Sequence, residues 1–495
     1  MLRRLVVSAI LFFIAITSGT GAASRASRPL NTAPSFLAPC HPPRIDGEAL
    51  CGKYEVFEDR AARTGRKIPL NIVLLRALDQ AHAPDPVFWL HGGPGAAATD
   101  TVGAAGQGGF LESLRRDHDL VFVDQRGTGA SNGLKCDLGD SPTDLSTFFG
   151  PLFPSDKVRK CRAELEGRAN LKLYTTPIAM DDLDEVRAAL GYDKINLVAA
   201  SYGTIAALVY MRQHPEHLRA VFLAGVANTN IRQPLPFAAG AQHAMELLFE
   251  DCAADAVCGR AFPKLKEEFA AVMARFDSGP VTAELVNPTN QQKERVQIHR
   301  DNFVERIRLL LYTTTFGRYV PLIIHHAFEN DYVPFEMLSI GYNPGSILAR
   351  GMYLTTTCSE SVPFITEQDI RKVTEGTFVG DARVREHMRA CREWVRGDIP
   401  ASFIEPVRSR VPVLMISGEL DASTPPWLGA EALATLPNAR QVKIRYYGHQ
   451  LDGPCVARLM SQFVDAGSAD KLDTSCTDAI RRPPFPLELP GNRGG

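Results

Sequence analysis

Three residues of the sequence, a serine, an aspartate and a histidine, have the types that nucleophilic catalysis needs. Ser201 follows a short apolar run and precedes residues with helical spacing, and the small residues Ala199 and Gly203 flank it. Small neighbours allow a sharp strand–turn–helix bend that exposes a serine hydroxyl at the end of a sheet. A serine hydroxyl is a weak nucleophile until a base takes its proton. The base is expected to be a histidine within hydrogen-bonding distance of Ser201.

Asp421 and His449 are the expected partners of Ser201. Each follows a predicted strand, at residues 411–416 and 441–446 respectively, and parallel sheets bind ligands at that end of their strands. His449 is predicted to act first as base and then as acid, while Asp421 fixes its tautomer and stabilises the imidazolium. The chain order of the three residues is that of an α/β-hydrolase triad. A helix cap for Asp421 and a plain loop position for His449 remain alternatives.

A glycine-rich loop upstream of Ser201 is expected to form part of an oxyanion hole. The buried strand at residues 86–90 leads directly into His91-Gly92-Gly93-Pro94-Gly95. Adjacent glycines let backbone N–H groups approach a ligand closely. Gly92 or Gly93 is therefore expected to donate to the oxyanion together with the N–H group of Tyr202. A Gly/Pro turn without a catalytic role is the alternative.

The elements around these residues alternate between strand and helix. Strand patterns at residues 120–123, 195–198 and 220–223, with helical spacing at 181–190, predict a mostly parallel sheet with helices on both faces. The alternation from Lys67 to Arg76 predicts an edge strand. These features together predict an α/β fold.

Helical spacing dominates the middle of the chain and predicts a cap inserted into the core. It extends from about residue 227 to about residue 401, after which strand and helix alternate again. The predicted organisation is a signal peptide at residues 1–23, the first part of the core at 24–226, a helical cap at 227–405, and the second part of the core at 406–495.

Two further patterns resemble ligand sites but do not predict them. A Gly-x-Gly pattern ends at Gly129, but no helical spacing begins there, which argues against a dinucleotide site. Asp124 and Arg126 in the same loop are expected to hold loops together beneath the pocket. His325 and His326 are adjacent, so one helix face cannot present both to a metal. No metal and no cofactor is predicted.

Composition and charge bear on the class of partner. The 495 residues are 45% hydrophobic and 22% charged, as is ordinary for a globular protein with a large core. The formal net charge of -2 gives no overall field that would attract nucleic acid or anionic lipid. The charge therefore favours a small or neutral substrate, and no nucleic-acid partner is expected. The serine chemistry described above makes a peptide or a small ester the expected substrate.

The N-terminus and the cysteines indicate export. Arg3 and Arg4 precede an apolar run at residues 5–16 that is too short to span a bilayer comfortably. This pattern predicts a signal peptide cleaved near Ala23, with an uncleaved anchor as the alternative. After cleavage we expect a secreted or periplasmic protein without stable membrane insertion.

The ten cysteines are even in number and include no Cys-x-x-Cys pair, so disulfides are expected and free thiols are the alternative. Sequence does not fix the connectivity. Pairing of neighbours in order gives short loops and predicts Cys40–Cys51, Cys136–Cys161, Cys252–Cys258, Cys358–Cys391 and Cys455–Cys476.

Several of these motifs occur together in one known family. The His91–Gly95 loop, the Asp124–Ser131 segment, Ser-Tyr-Gly-Thr at 201–204 and the C-terminal stretch from Pro412 to Cys476 resemble the prolyl and tripeptidyl aminopeptidase group of secreted α/β-hydrolases. The resemblance covers roughly residues 40–476, including a tripeptidyl-aminopeptidase-like C-terminal region. It implies a serine peptidase with an α/β-hydrolase fold and a helical cap.

In that group, acidic residues near the site bind the free amino terminus of the substrate. By its position in Cys358-Ser359-Glu360, Glu360 resembles such a residue and is the candidate for binding the amine. An exposed or helix-capping acid is the alternative. The predicted function is an aminopeptidase that releases amino acids or short peptides through an acyl-enzyme on Ser201. A carboxylesterase with the same triad and a non-catalytic binding protein on a hydrolase scaffold are the alternatives.

Overall fold

A computed structural model describes most of the chain. It describes residues 34–79, 82–139, 141–287, 290–449 and 452–489. The signal peptide predicted at residues 1–23 lies outside these ranges. Within the ranges, no helix combines the length and the apolar character needed to cross a membrane.

Strands supply the framework of the fold. Their bounds are β1 (Leu37–Cys40), β2 (Ala49–Phe57), β3 (Lys67–Leu75), β4 (Val87–Leu90), β5 (Leu120–Val123), β6 (Ile195–Ala200), β7 (Leu218–Ala224), β8 (Val281–Val286), β9 (Lys293–Ile298), β10 (Val413–Gly418) and β11 (Ala439–Ile444). A nine-stranded sheet has the order β1-β2-β3-β5-β4-β6-β7-β10-β11. From β5 to β11 in this order all neighbours are parallel, whereas β1, β2, β3 and β5 pair antiparallel. The mostly parallel sheet confirms the predicted fold class.

The prediction that residues 67–76 form an edge strand is wrong. β3 lies between β2 and β5, and pairs with both. β1 and β2, which the sequence pattern did not predict, extend the sheet beyond β3. The alternation along β3 therefore reflects an interior strand of the antiparallel part of the sheet.

Helices cover both faces of the sheet and fill the segment between β7 and β10. Their bounds are α1 (Glu112–Asp117), α2 (Leu145–Phe148), α3 (Ser155–Glu166), α4 (Thr176–Ala189), α5 (Tyr202–Gln213), α6 (Pro236–Ala254), α7 (Cys258–Ala261), α8 (Leu265–Asp277), α9 (Arg300–Leu310), α10 (Thr314–Gly317), α11 (Val320–Phe328), α12 (Val333–Gly341), α13 (Arg350–Glu360), α14 (Glu367–Thr374), α15 (Ala382–Glu393), α16 (Pro426–Leu433) and α17 (Pro454–Ala466). We call the segment between β7 and β10 the cap. It is mostly helical, as expected, but β8 and β9 form an antiparallel hairpin in it that helical spacing did not predict.

Hydrophobic packing explains how the sheet is held between its helices. Successive residues of a strand point to opposite faces. Phe88 of β4 accordingly packs in one cluster with Leu183 and Leu208 of α4 and α5. Trp89, the next residue, packs in another cluster with Phe463 of α17. The cap has a separate apolar cluster of its own, built mainly from α6, α8, α9, α11 and α12.

Asp124 and Arg126 fix the loops at the end of β5, which confirms the role expected for them. Both side chains are fully buried. The Asp124 carboxylate accepts hydrogen bonds from the backbone N–H of Thr99 at 2.9 Å and from the Asn71 amide at 3.0 Å. Arg126 donates to both carboxylate oxygens of Asp182, at 2.6 and 2.9 Å. Buried charges of this kind are stable when their hydrogen-bonding groups are satisfied.

All ten cysteines form disulfides in the structure. The bridges are Cys40–Cys51, Cys136–Cys161, Cys252–Cys258, Cys358–Cys391 and Cys455–Cys476, the same pairs that neighbours in order predict. A bridge of this kind typically stabilises a fold by about 2–4 kcal/mol. The Cys358–Cys391 bridge joins α13 to α15 within the cap.

Candidate active site

Ser201 occupies a sharp turn between β6 and α5. Its backbone has φ 55° and ψ -126°, in the left-handed region that non-glycine residues seldom adopt. Such a conformation costs roughly 1–3 kcal/mol and persists only where the surroundings fix it. Here the Ser201 N–H donates to the carbonyl of Ala224 at 2.9 Å, and the Thr204 hydroxyl donates to the Ser201 carbonyl at 2.6 Å. The strand, turn and helix expected around Ser201 are therefore present.

Two glycines allow the elements around Ser201 to approach closely. A Cβ atom added at Gly203 would lie 2.3 Å from the carbonyl oxygen of Leu90, so only glycine lets α5 pack this near to β4. A Cβ atom added at Gly92 would lie 2.8 Å from the Cβ of Ser201. The glycine-rich loop after β4 is therefore in direct contact with the serine.

Asp421 and His449 are hydrogen-bonded to each other. The Nδ1 atom of His449 lies 2.8 Å from Oδ2 of Asp421. The other oxygen of this buried carboxylate accepts the backbone N–H groups of Ser423 and Thr424, at 2.8 and 2.7 Å. Burial alone would raise the pKa of Asp421, but His449 and these hydrogen bonds outweigh it and lower the pKa. An ionised carboxylate can hold the histidine in the tautomer whose Nε2 is free to accept a proton.

Residues that the sequence analysis did not identify also position His449. The Thr424 hydroxyl lies 2.8 Å from Asp421 Oδ2 and 3.0 Å from His449 Nδ1, so it touches both partners. The His449 backbone N–H donates to the carbonyl of Tyr312, in the cap, at 2.5 Å. Gly225, at φ 60°, leaves space for the imidazole, because a Cβ there would lie 3.0 Å from Cε1. Thr424 lies in the stretch from Pro412 to Cys476 that resembles the family named above, whereas no local pattern indicates Tyr312.

The structure distinguishes between the two glycines considered for the oxyanion hole. The Gly92 N–H donates to Nδ1 of His91 at 2.7 Å. Burial lowers the pKa of His91 to about 4, so its imidazole is neutral at pH 7 and can accept this bond. Gly93 and Tyr202 therefore remain as the candidate donors. Tyr202 is the first residue of α5, where helical N–H groups lack partners within the helix and the helix dipole favours negative charge.

A cavity of about 410 Å³ connects these groups. Ser201, His449, Gly92 and Gly93 line it from the side of the sheet. Residues of the cap, including Tyr312, line it from the other side. A covered space of this size is in the range of small-ligand sites.

Glu360 is not among the residues that line this cavity, so the structure does not agree with the amine-binding role predicted for it. Its side chain is buried, and its two oxygens accept the N–H and the hydroxyl of Thr176, each at 2.6 Å. The Thr176 hydroxyl is in turn 2.6 Å from the Tyr202 hydroxyl. Glu360 thus connects the cap to the residue that follows Ser201, and its carboxyl is not available to a substrate amine at Ser201.

Burial of Glu360 should make stability depend on pH. Desolvation raises its pKa from 4.5 to about 7, against the hydrogen bonds from Thr176. Between these values the unfolded chain loses the proton while the folded protein keeps it, so the free energy of unfolding falls as pH rises. The loss amounts to about 3 kcal/mol. Urea denaturation at pH 5 and pH 8 should show this loss in the wild type, and Glu360→Gln should remove it.

The matched control for this measurement is Glu267→Gln, which changes an exposed glutamate of α8. It should keep the wild-type dependence on pH. Equal dependence in the wild type and in Glu360→Gln would contradict the assignment of a raised pKa to Glu360.

The comparisons with known proteins agree with this architecture. Residues 85–451 match the family described as having the alpha/beta hydrolase fold. Serine protease Hip1 of Mycobacterium tuberculosis (strain ATCC 25618 / H37Rv) is 29% identical over 262 residues, which is 48% of this chain and 49% of that protein. Tripeptidyl aminopeptidase of Streptomyces lividans is 27% identical over 190 residues, which is 36% of this chain and 35% of that protein.

A third relative is proline iminopeptidase of Neisseria gonorrhoeae, 27% identical over 150 residues, which is 30% of this chain and 35% of that protein. The chain therefore spans about half, or less, of the length of the curated relatives that it matches. The family match, in contrast, extends over residues 85–451 and includes Ser201, Asp421 and His449. The chain belongs to the alpha/beta hydrolase fold family.

Proposed function

We propose that the protein is a secreted serine hydrolase that releases amino acids or short peptides from amino termini through an acyl-enzyme on Ser201. One observation carries the proposal: the buried Asp421 carboxylate is hydrogen-bonded to His449, and His449 lines one covered cavity with Ser201. The names of the relatives, which include a tripeptidyl aminopeptidase and a proline iminopeptidase, support the choice of peptides as substrates.

The proposed reaction follows from the chemistry of these groups. Nε2 of His449 takes the hydroxyl proton of Ser201 as the oxygen attacks the scissile carbonyl, and Asp421 stabilises the imidazolium that forms. The N–H groups of Gly93 and Tyr202 stabilise the oxyanion, each by about 3 kcal/mol in comparable sites. The imidazolium then protonates the leaving amine, and the acyl-enzyme remains. Water, activated by His449, releases the acyl group and restores Ser201.

Binding of a free amino terminus needs a carboxylate other than that of Glu360. Four acidic side chains line the cavity with Ser201. Glu305 is paired with Arg308 and Arg383. Asp301, Glu386 and Asp452 remain candidates. Asp301 and Asp452 are exposed, whereas Glu386 is only 14% exposed and accepts the backbone N–H of Leu152 at 3.2 Å. A carboxylate in a partly desolvated cavity interacts more strongly with an ammonium group than one in water does.

The experiment that tests the proposal compares matched substrates. We expect aminoacyl or tripeptidyl arylamides with a free amine to be hydrolysed. Acetylation of the amine should reduce kcat/KM by about 100-fold or more, since the carboxylate that binds the amine is then left unpaired in the cavity. The measurement compares kcat/KM for the free arylamides, for the acetylated arylamides and for simple acyl esters. Turnover of the esters without turnover of the arylamides would contradict the aminopeptidase and favour the carboxylesterase alternative.

Export of the protein is part of the same proposal. The five disulfides support it, because such bridges form and persist in oxidising compartments. The predicted signal peptide agrees with this route. Sequencing of the amino terminus of the protein recovered outside the cytoplasm would identify the cleavage site, which is expected near Ala23.

A further inference from the structure

Four arginines of the cap line the cavity that contains Ser201. Arg306 and Arg308 belong to α9, Arg350 begins α13, and Arg383 belongs to α15. Arg306 and Arg308 are buried, and Arg383 is only 11% exposed. Placing several guanidinium groups in one desolvated space is unfavourable unless anions accompany them.

One glutamate, which is only 14% exposed, forms hydrogen bonds with two of these arginines. Glu305 contacts Arg308 through two hydrogen bonds, at 2.6 and 2.8 Å, and Arg383 through one at 2.8 Å. Burial would raise the pKa of Glu305, but Arg308 and Arg383 outweigh it and hold the pKa at about 2. Glu305 is therefore ionised at neutral pH and neutralises one of the two positive charges.

Arg306 interacts with a ring and a carbonyl group. Its guanidinium lies 3.7 Å from the centre of the Phe148 ring and donates to the Phe148 carbonyl at 3.0 Å. Burial lowers the pKa of Arg306 and of Arg350 to about 10 in each case, and the charge of Arg383 contributes to both shifts. The positive charges of the cluster therefore repel one another across the cavity.

The remaining acids of the cavity do not balance this charge. Asp301 and Asp452 are exposed, where water screens them. Glu386 is the only other acid among the described lining residues that is largely buried, and burial raises its pKa. Four guanidinium groups thus share the cavity with two largely buried carboxylates, those of Glu305 and Glu386. The Nε atom of Arg383 is moreover buried without a hydrogen-bond partner among the described residues.

We propose that this arginine cluster is a subsite for a carboxylate of the substrate, so that the enzyme prefers peptides with an acidic group close to the scissile bond. The proposal rests on the proposed function at Ser201 and specifies its substrate class. A substrate carboxylate would supply the missing negative charge, and the planar guanidinium fork suits a carboxylate geometrically. This carboxylate can belong to an acidic side chain in the amino-terminal residues that are released, or it can be the carboxyl terminus of a short peptide substrate.

The experiment uses arylamide substrates that differ only in having Glu, Gln or Lys next to the scissile bond. Glu and Gln have nearly the same shape, so their comparison isolates the charge. We expect kcat/KM to be about 10- to 100-fold higher for Glu than for Gln, and lower still for Lys. A second pair, a short peptide with a free or an amidated carboxyl terminus, tests the other source of the carboxylate.

Variants of the cluster locate the preference in the structure. Arg383→Gln and, should that variant fail to fold, Arg350→Gln should reduce the ratio of kcat/KM for the Glu substrate to kcat/KM for the Gln substrate at least tenfold. The matched control is Arg392→Gln, which removes a charge from an exposed position of α15 outside the cavity. It should leave the ratio as in the wild type.

Binding to the inactive Ser201→Ala variant separates this inference from the proposed function. Calorimetry of a Glu peptide and of the matched Gln peptide reads the subsite without turnover. The subsite is supported if Ser201→Ala binds the Glu peptide more tightly than the Gln peptide and the double variant Ser201→Ala/Arg350→Gln does not. This result would support the subsite even if the wild type hydrolyses neither arylamide. The subsite would be overturned if, in both substrate pairs, the form with the carboxylate and the neutral form were bound equally well and hydrolysed equally fast. This holds even if the enzyme hydrolyses all of these substrates rapidly.

Discussion

Replacing Ser201 with alanine is expected to lower kcat by about 10⁶-fold, because the variant lacks the nucleophile of the proposed acyl-enzyme. The backbone contacts that hold the turn, from the Ser201 N–H to Ala224 and from Thr204 to the Ser201 carbonyl, do not involve the lost hydroxyl. The variant should therefore fold as the wild type does. The measurement is hydrolysis of the best arylamide together with labelling by a fluorophosphonate, which reacts with activated serines.

A control must show that the probe reports on Ser201 and not on another serine of the cavity. Ser423 also lines the cavity, but it contributes to Asp421 only through its backbone N–H. Ser423→Ala should therefore retain labelling, whereas Ser201→Ala should lose it. Absence of labelling in the wild type, together with absence of turnover, would leave a binding protein on a hydrolase scaffold as the better description.

Replacing Asp421 with asparagine should lower kcat by about 10⁴-fold, as the same change does in a well-studied triad. The carboxylate oxygen that lies 2.8 Å from His449 Nδ1 carries no proton, so it forms a hydrogen bond with Nδ1 only when that nitrogen is protonated. An amide NH₂ at the same place would favour the tautomer with the proton on Nε2, and this tautomer cannot accept the serine proton. The measurement is kcat for the best arylamide and the rate of fluorophosphonate labelling.

Asparagine has nearly the same shape as aspartate, so Asp421→Asn tests the charge of the side chain with little change in packing. Its Oδ1 can still accept the N–H groups of Ser423 and Thr424, so we expect a melting temperature near that of the wild type. A folded variant with greatly slowed labelling would assign the loss to the tautomer of His449. A decrease in kcat below tenfold in a folded variant would contradict the role proposed for Asp421.

Local sequence signals were sufficient for the central part of the fold and for the positions around the serine. β4, β5 and β6 are buried along their whole length, so their apolar runs were easy to recognise. The small residues beside Ser201 indicated the turn because bulkier side chains do not fit there. The strands before Asp421 and His449 were also predicted, and strands of a parallel sheet bring their following loops to the same edge.

Other features depend on contacts between distant parts of the chain, which local patterns do not encode. Glu360 follows a cysteine in a stretch typical of the resembled family, but the packing of α13 directs its carboxyl to Thr176. The β8–β9 hairpin was not predicted because neither strand is a continuous apolar run: only alternate residues are buried, and β9 begins with the charged residues Lys293, Glu294 and Arg295. The arginines of the cap lie on amphipathic helices, where charges usually indicate a solvent-exposed face.

The hydrogen bond from the His449 N–H to the Tyr312 carbonyl joins the loop that carries the histidine to the cap. Any displacement of Tyr312 large enough to admit a bulky peptide would break this bond before the chemical step. The general base would then lose one of its supports, so the position of the cap and the alignment of His449 are coupled through this bond.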